Sequence, residues 1–158
     1  MENTCIEIKG KKYWISRSMC TVGFVYAFDF NTKELCILAV RRGPGQSSQA
    51  DDPGKWCCPC GYLDYDETLE ECCRREIFEE TGVMVQKGSL QLMKINSDPS
   101  QPHQNVAFRY RTTLTCVVPT NTSHSEDNEV LECKWIPISR VDDYEWAFGH
   151  GELIKEYR

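Results

Sequence analysis

Apolar residues along the chain fall in short blocks separated by polar stretches rich in Gly, Pro and Ser. Residues 13–16 form one short candidate strand. Residues 21–28 and 35–40 are richer ones joined by the turn-like segment 29–34, a pattern that predicts a hairpin. The run RRGPGQSSQADDPGK at 41–55 is the longest polar stretch and predicts a loop ahead of the apolar residues 56–60. Apolar segments follow at 83–85 and 90–95, then a loop with two prolines at 96–105. Residues 106–118 alternate, with Phe108, Tyr110, Thr112 and Leu114 against Arg109, Arg111 and Thr113, which predicts a long strand with one buried and one polar face. After the polar, acidic loop 119–128, residues 130–136 predict a strand and 151–158 a terminal helix. A strand-rich order with two or three helices and no internal repeat points to an α/β or α+β domain.

The clearest helix signal lies at 68–82. Thr68 and Glu71 form an S/T-x-x-E capping box, Glu70 and Glu71 suit the positive end of the helix dipole, and Gly82 is the expected left-handed stop. At about 100° per residue, Leu69, Cys72, Cys73 and Ile77 share one stripe, the natural core face. Glu76 and Glu80 fall on or beside that stripe, with Glu79 alongside. Glu70, Glu71 and Arg74 are explained by a solvated face; inward carboxylates are not, because an ionised and unpaired buried acid is costly. Arg75 can pair with Glu79 at i, i+4 but cannot neutralise three acids, so a bound divalent cation is expected.

Composition narrows the setting. At 158 residues, 41% hydrophobic and 27% charged, the chain is expected to be one domain, residues 1–158. A formal charge of -6 argues against a stable nucleic-acid partner, although an acidic site filled by a cation can still handle a phosphorylated substrate. No run has the length of a membrane span and residues 1–12 lack the apolar stretch of a signal peptide, so a cytoplasmic location and no membrane partner are expected. Ten cysteines in such a chain are read as reduced thiols. Cys57 and Cys60 have Cys-x-x-Cys spacing, but Cys72 and Cys73 sit where the helix needs small hydrophobes, which disfavours a structural zinc site.

Written as a pattern, the segment is Gly61, five residues, Glu67, seven residues, then Arg75-Glu76-Ile77-Phe78-Glu79-Glu80-Thr81-Gly82-Val83. It resembles the Nudix box of the Nudix hydrolases, and Trp56, Pro59, Trp135-Ile136-Pro137 and Phe148-Gly149-His150 extend the resemblance more loosely. The resemblance implies an α/β/α sandwich with a mixed central sheet. It also implies hydrolysis of a nucleoside diphosphate linked to another moiety, assisted by Mg²⁺ or Mn²⁺. Carried over by position, Glu76, Glu79 and Glu80 would hold the metal with the carbonyl of Gly61, while Glu67 and Arg75 orient the cluster. Many members draw a general base from after the box. Glu126, Glu129 and Glu132 compete for that part here, with Glu129 favoured, so Glu76, Glu80 and Glu129 form the expected catalytic set.

One position departs from the family. Cys60 stands where relatives usually have a first glycine, which resembles the isopentenyl-diphosphate isomerases; those need a histidine just after the next glycine, where this chain has Tyr62. For substrate, Arg41, Arg42, Arg109 and Arg111 could meet phosphates, and Tyr13, Trp14, Phe108 or Tyr110 could stack on a base or ribose. Arg42, Arg109 and Tyr110 are the set carried forward. The loop 97–102 and the Phe148-Gly149-His150 tail resemble the ADP-ribose-hydrolysing branch. Nucleoside triphosphates, other nucleotide sugars, dinucleotides and capped RNA ends stay open. So does a non-catalytic nucleotide sensor, although sensors of this family often have eroded boxes. Homodimers are common in the family, yet no stripe read from the sequence demands one.

Overall fold

The computed structural model describes residues 4–44, 52–101, 105–125 and 128–158. Part of the loop expected at 41–55, part of that at 96–105 and the candidate base Glu126 lie outside them. The strands are β1 (Thr4–Ile8), β2 (Lys11–Ile15), β3 (Met19–Asp29), β4 (Glu34–Arg42), β5 (Trp56–Cys57), β6 (Cys60–Tyr62), β7 (Gln91–Asn96), β8 (Val106–Leu114) and β9 (Val130–Pro137). Helix α1 (Leu69–Thr81) lies between β6 and β7, and α2 (His150–Tyr157) ends the chain after 3-10 turns at Ile138–Asp143 and Ala147–Gly149. None of the described helices is long and apolar enough to cross a membrane.

Strands β5-β4-β3-β8-β7 run in that order across the main sheet, with β6 paired to β3 and β9 to β4. Its centre is the expected hairpin: β3 and β4 pair antiparallel, and Lys33 N–H donates to Asp29 O to close the turn. Parallel pairing of β3 with β8, beside antiparallel β7, makes the sheet mixed.

Alternation on β3 distributes the core between two layers. Val25, with Leu38 and Tyr110, faces Cys73 and Ile77 of α1 and the buried Val83 and Val85. Val22, Phe24 and Tyr26 face the other way, against Ile136, Val141, Ile154 and Tyr157, and Tyr26 Oη donates to the carbonyl of Ile154 at 2.8 Å. Helices on both faces of one mixed sheet give the α/β/α arrangement.

Two expectations need correction. The strand expected at 106–118 stops at Leu114: its pairing with β3 ends at Ala27 and that with β7 at Arg111, and the backbone bends at residues 115–116 before the Val117 N–H donates to Phe28 O at 3.1 Å. Arg109 and Arg111 do not form a solvated face either. Both are half-buried on the α2 side, with the Arg111 guanidinium 5.4 Å from the Tyr26 ring centroid. The sequence reading also passed over β1, which pairs with β2 in a separate two-stranded sheet.

Candidate active site

Helix α1 positions most of the site, and local signals set its ends. Thr68 Oγ1 accepts from the Glu71 N–H at 3.3 Å, and the Glu71 carboxylate accepts from the Thr68 N–H at 2.9 Å. At the other end Gly82, with φ +71°, donates its N–H to Phe78 O at 2.7 Å. Between the caps, Cys72, Cys73 and Ile77 are buried as the core stripe, and Glu80 is buried with them at 6% exposure. Cys72 Sγ lies 3.2 Å from Thr21 Oγ1 on β3, so its role is packing and local bonding.

Arg75 ties the acids together. Its guanidinium donates twice to Glu67, through Nη2 at 2.6 Å and Nε at 3.0 Å, and through Nη1 to Glu76 at 2.6 Å and Glu79 at 3.2 Å. Nη2 also donates to the Tyr62 carbonyl at 3.0 Å, locking the helix to the strand before it. The bidentate pair holds the Glu67 carboxyl below its ordinary value. Burial pushes Glu76 up to about 7 against the pull of Arg75, and burial pushes Glu80 well above the carboxylate range, with Glu76 adding repulsion. Glu80 Oε2 accepts the backbone N–H of Cys60 at 3.1 Å.

These groups line an open cleft of about 270 Å³ that joins Gly61, Tyr62, Asp64, Arg75, Glu76, Glu79 and Glu80 to His124, Ser125 and Glu129. Gly61 is a close approach: a Cβ built there would lie 2.1 Å from the Glu76 carboxylate. Among the described residues, no three His, Cys, Asp or Glu side chains converge as ready metal ligands, and Glu76 and Glu79 are turned to Arg75 instead. The donor set nevertheless suits a hard divalent cation. It offers carboxylate oxygens and a backbone carbonyl, its inner acids are costly to ionise without a counter-charge, and a glycine leaves room beside them.

Of the competing bases, Glu129 lines the cleft, whereas Glu132 is drawn away by Lys134 at 3.3 Å and Arg41 at 3.9 Å. Cys60 does not line the cleft, and its side chain packs beside Val40, Val130 and Cys133. A hydrogen bond with Cys57, together with burial, pushes its thiol well above the usual range and keeps it neutral. Arg42 lies over the Phe148 ring at 4.8 Å. Tyr110 belongs elsewhere: neighbours on a strand point to opposite sides, so with Arg109 on the α2 side Tyr110 is buried against α1. Tyr13 and Trp14 stand on β2 and are not among the lining residues.

His124 and Ser125 were not anticipated. Their loop reads as solvated, but Asn121 N–H donates to Thr81 O at 2.9 Å, Trp135 Nε1 donates to Val118 O at 2.8 Å, and the His124 ring stacks on Phe78 at 4.6 Å. Phe78, an aromatic off the core stripe of α1, is the one signal that something must cover that side.

Relatives decide the family. A profile described as NUDIX domain matches residues 19–157, nearly the whole chain. The chain belongs to the Nudix family. Among curated proteins, the phosphatase NudJ of Escherichia coli K12 is 29% identical over 86 residues, 54% of this chain and 54% of NudJ, so the chain spans about half the length of the curated relatives it matches. Among solved structures, the NUDIX domain of Shewanella oneidensis NrtR, complexed with ADP ribose, superposes with a TM-score of 0.72 at 22% identity, covering 91% of this chain and 88% of that one. The bifunctional NMN adenylyltransferase/ADP ribose pyrophosphatase of Francisella tularensis, complexed with AMP and a Mn ion, gives 0.68 at 19% identity over 89% of this chain and 40% of its own. At such identities these likenesses speak for the Nudix fold.

Proposed function

We propose that the chain is a Nudix pyrophosphohydrolase that cleaves the pyrophosphate bond of a nucleoside diphosphate linked to another moiety, with ADP-ribose or another nucleotide sugar as first choice. The observation that carries this reading is the gathering of Glu76, Glu79, Glu80 and Glu129 around one cleft beside Gly61. Glu76, Glu79, Glu80 and the Gly61 carbonyl would hold Mg²⁺ or Mn²⁺, which when bound neutralises phosphate charge and makes water more acidic. Glu67 and Arg75 position those acids. Glu129 takes the proton of the attacking water as the new P–O bond forms and the bridging P–O bond breaks, leaving two phosphate-bearing products. Arg42 and Arg109 are the proposed phosphate contacts. Binding of ADP ribose by the NrtR domain and of AMP by the Francisella enzyme supports the choice of ligand class. The reading treats residues 1–158 as one cytoplasmic domain whose partner is the small-molecule substrate.

Phosphatase-coupled phosphate release over a panel of nucleotide diphosphate derivatives and nucleoside triphosphates, with Mg²⁺ or Mn²⁺, tests it. ADP-ribose or a nucleotide sugar should give the highest kcat/KM, with Glu80→Gln reducing the rate at least about 1,000-fold and Glu129→Gln at least about 100-fold. Preference for a triphosphate would replace the substrate assignment. Silence across the panel, with ligand binding intact, would instead favour a sensor.

A further inference from the structure

Where the end of α2 meets the sheet, on the side away from helix α1, two polar groups are buried without partners. His150, Ile154 and Tyr157 follow one another at helical spacing and are all buried, so they form the face that α2 turns to the sheet. There the Tyr157 ring meets Phe24 edge-on at 5.0 Å, and the Ile154 carbonyl takes the Tyr26 hydroxyl. Arg111 reaches the same corner from β8. It is the register partner of Phe24, and its guanidinium lies 5.4 Å from the Tyr26 ring centroid. Tyr157 is only 5% exposed, and neither its hydroxyl nor the buried Nε of Arg111 has a hydrogen-bond partner among the described residues.

The two groups do not satisfy each other, although the Nε–H of an arginine can only donate and a phenol oxygen can accept. A second cation stands close by. Burial raises the Tyr26 phenol above its ordinary value, Cys58 and Tyr157 add to that, and the charges of Arg111 and Arg158 oppose it, so both guanidinium groups act on the space around the Tyr26 hydroxyl. The acids of α2 and the turn before it are directed elsewhere. Glu152 and Asp142 each accept from Lys155 at 2.9 Å, and Glu156 is exposed and pairs with neither arginine. Burying a donor and a cation without an acceptor is costly, and an anion that supplies oxygens removes the cost. A phosphate group suits this corner better than a carboxylate, because it has an oxygen for each donor and charge for both cations. With Arg158 exposed and Arg111 half-buried, the corner is open to solvent.

We propose that Arg111, Tyr157 and Arg158 form a binding site for a phosphate group, free or carried by a nucleoside monophosphate, at the end of α2 and apart from the catalytic cleft. None of the three lines that cleft. Arg111 and Arg158 supply charge, and the Tyr157 hydroxyl fixes one phosphate oxygen. The site stands whether or not the chain hydrolyses a nucleotide.

Calorimetric titration of the full chain with inorganic phosphate and with AMP, in EDTA and at constant ionic strength, tests it. The wild type should bind phosphate. Arg111→Met should weaken that binding at least about 10-fold and Tyr157→Phe about 3- to 10-fold, the spans expected for a charged and a neutral hydrogen bond. Tyr157→Phe removes only an unpaired hydroxyl, so its urea midpoint should be no lower than that of the wild type, and its lost affinity is then not a damaged fold. Displacement of phosphate by AMP, with the same dependence on Arg111 and Tyr157, assigns the site to a nucleoside monophosphate. Phosphate binding that AMP leaves untouched assigns it to free phosphate. Hydrogen exchange on the wild type, which needs no variant to fold, should show the amides at the end of α2 better protected in phosphate than in chloride. A wild type that binds neither anion overturns the proposal. So does an affinity that Arg111→Met or Tyr157→Phe leaves unchanged, or protection in α2 indifferent to phosphate.

Discussion

Gly61 is required by its neighbour more than by its own backbone. Its φ lies outside the left-handed region, yet a Cβ there would sit 2.1 Å from the Glu76 carboxylate, so any side chain pushes that acid out of the cleft. Gly61→Ala should therefore fold, as circular dichroism can check, while losing about 100-fold in kcat/KM, the size of effect that a shift of about 1 Å at a reacting group produces. Cys60 is the contrasting residue. What it gives Glu80 is its backbone N–H, which every residue but proline retains, while its thiol packs beside Val40 and Val130. Cys60→Ser and Cys60→Gly should both keep kcat within about threefold of the wild type, with the glycine variant about 1 to 2 kcal/mol less stable from lost packing and added backbone freedom. Loss of turnover in Cys60→Ser would give the thiol a chemical part and revive the isomerase comparison.

Helix α1 shows which structural information is local. Its start and stop were legible because Thr68, Glu71 and Gly82 each satisfy backbone groups within a few residues, and the same angular reckoning turned Glu76 and Glu80 inward. Strand β1 was not legible, since a five-residue run has meaning only once β2 pairs with it. The side chosen by Arg109 and Arg111 was misread for a similar reason: alternation separates two faces but does not say that α2 covers the second. His124 and Ser125 reach the cleft through contacts with α1 that no periodicity records. The two helix caps should accordingly respond differently to substitution. Thr68→Ala removes one capping bond on the exposed side and should cost about 1 kcal/mol in urea unfolding with little change in rate. Gly82→Ala strains a φ of +71° and drives a Cβ to 2.4 Å from Asn121 Nδ2, in the loop that leads to Glu129. It should cost about 1 to 3 kcal/mol and also lower kcat, because the loop must shift to make room. Equal kinetic effects of the two substitutions would mean that this loop has no part in turnover.

Across the whole molecule, the two core layers meet the site through different chemistry, and His150 makes the α2 layer sensitive to pH. It sits buried at the start of α2 between Phe24 and Phe148, with ring centroids 5.6 and 5.5 Å away. Its Nδ1 accepts the backbone N–H of Cys58 at 3.1 Å, so the neutral ring carries its proton on Nε2 and joins α2 to the segment between β5 and β6. Burial lowers its pKa to about 3, and the charges of Arg109 and Arg42 add to the effect. Protonation would place a third cation in that space and remove the acceptor from Cys58. A folded value below the unfolded value of 6.5 gives stability that is fully present above pH 6.5 and is lost as pH falls toward 3. At about 1.4 kcal/mol per pH unit, roughly 2 kcal/mol of it has gone by pH 5. Glu76 and Glu80, with raised values, pull the other way over the same range, so the acid dependence of the wild type alone mixes both effects. A difference against His150→Gln separates them, because glutamine can still accept from Cys58 but does not titrate. Urea unfolding of both proteins at pH 8, 7, 6 and 5 should show the wild type ahead at pH 8 by an amount constant to about pH 6.5, then shrinking by roughly 2 kcal/mol at pH 5. A stability difference unchanged across that range would mean that His150 takes up its proton in the folded protein over the same pH range as in the unfolded chain, and that its bond to Cys58 is not the neutral contact described.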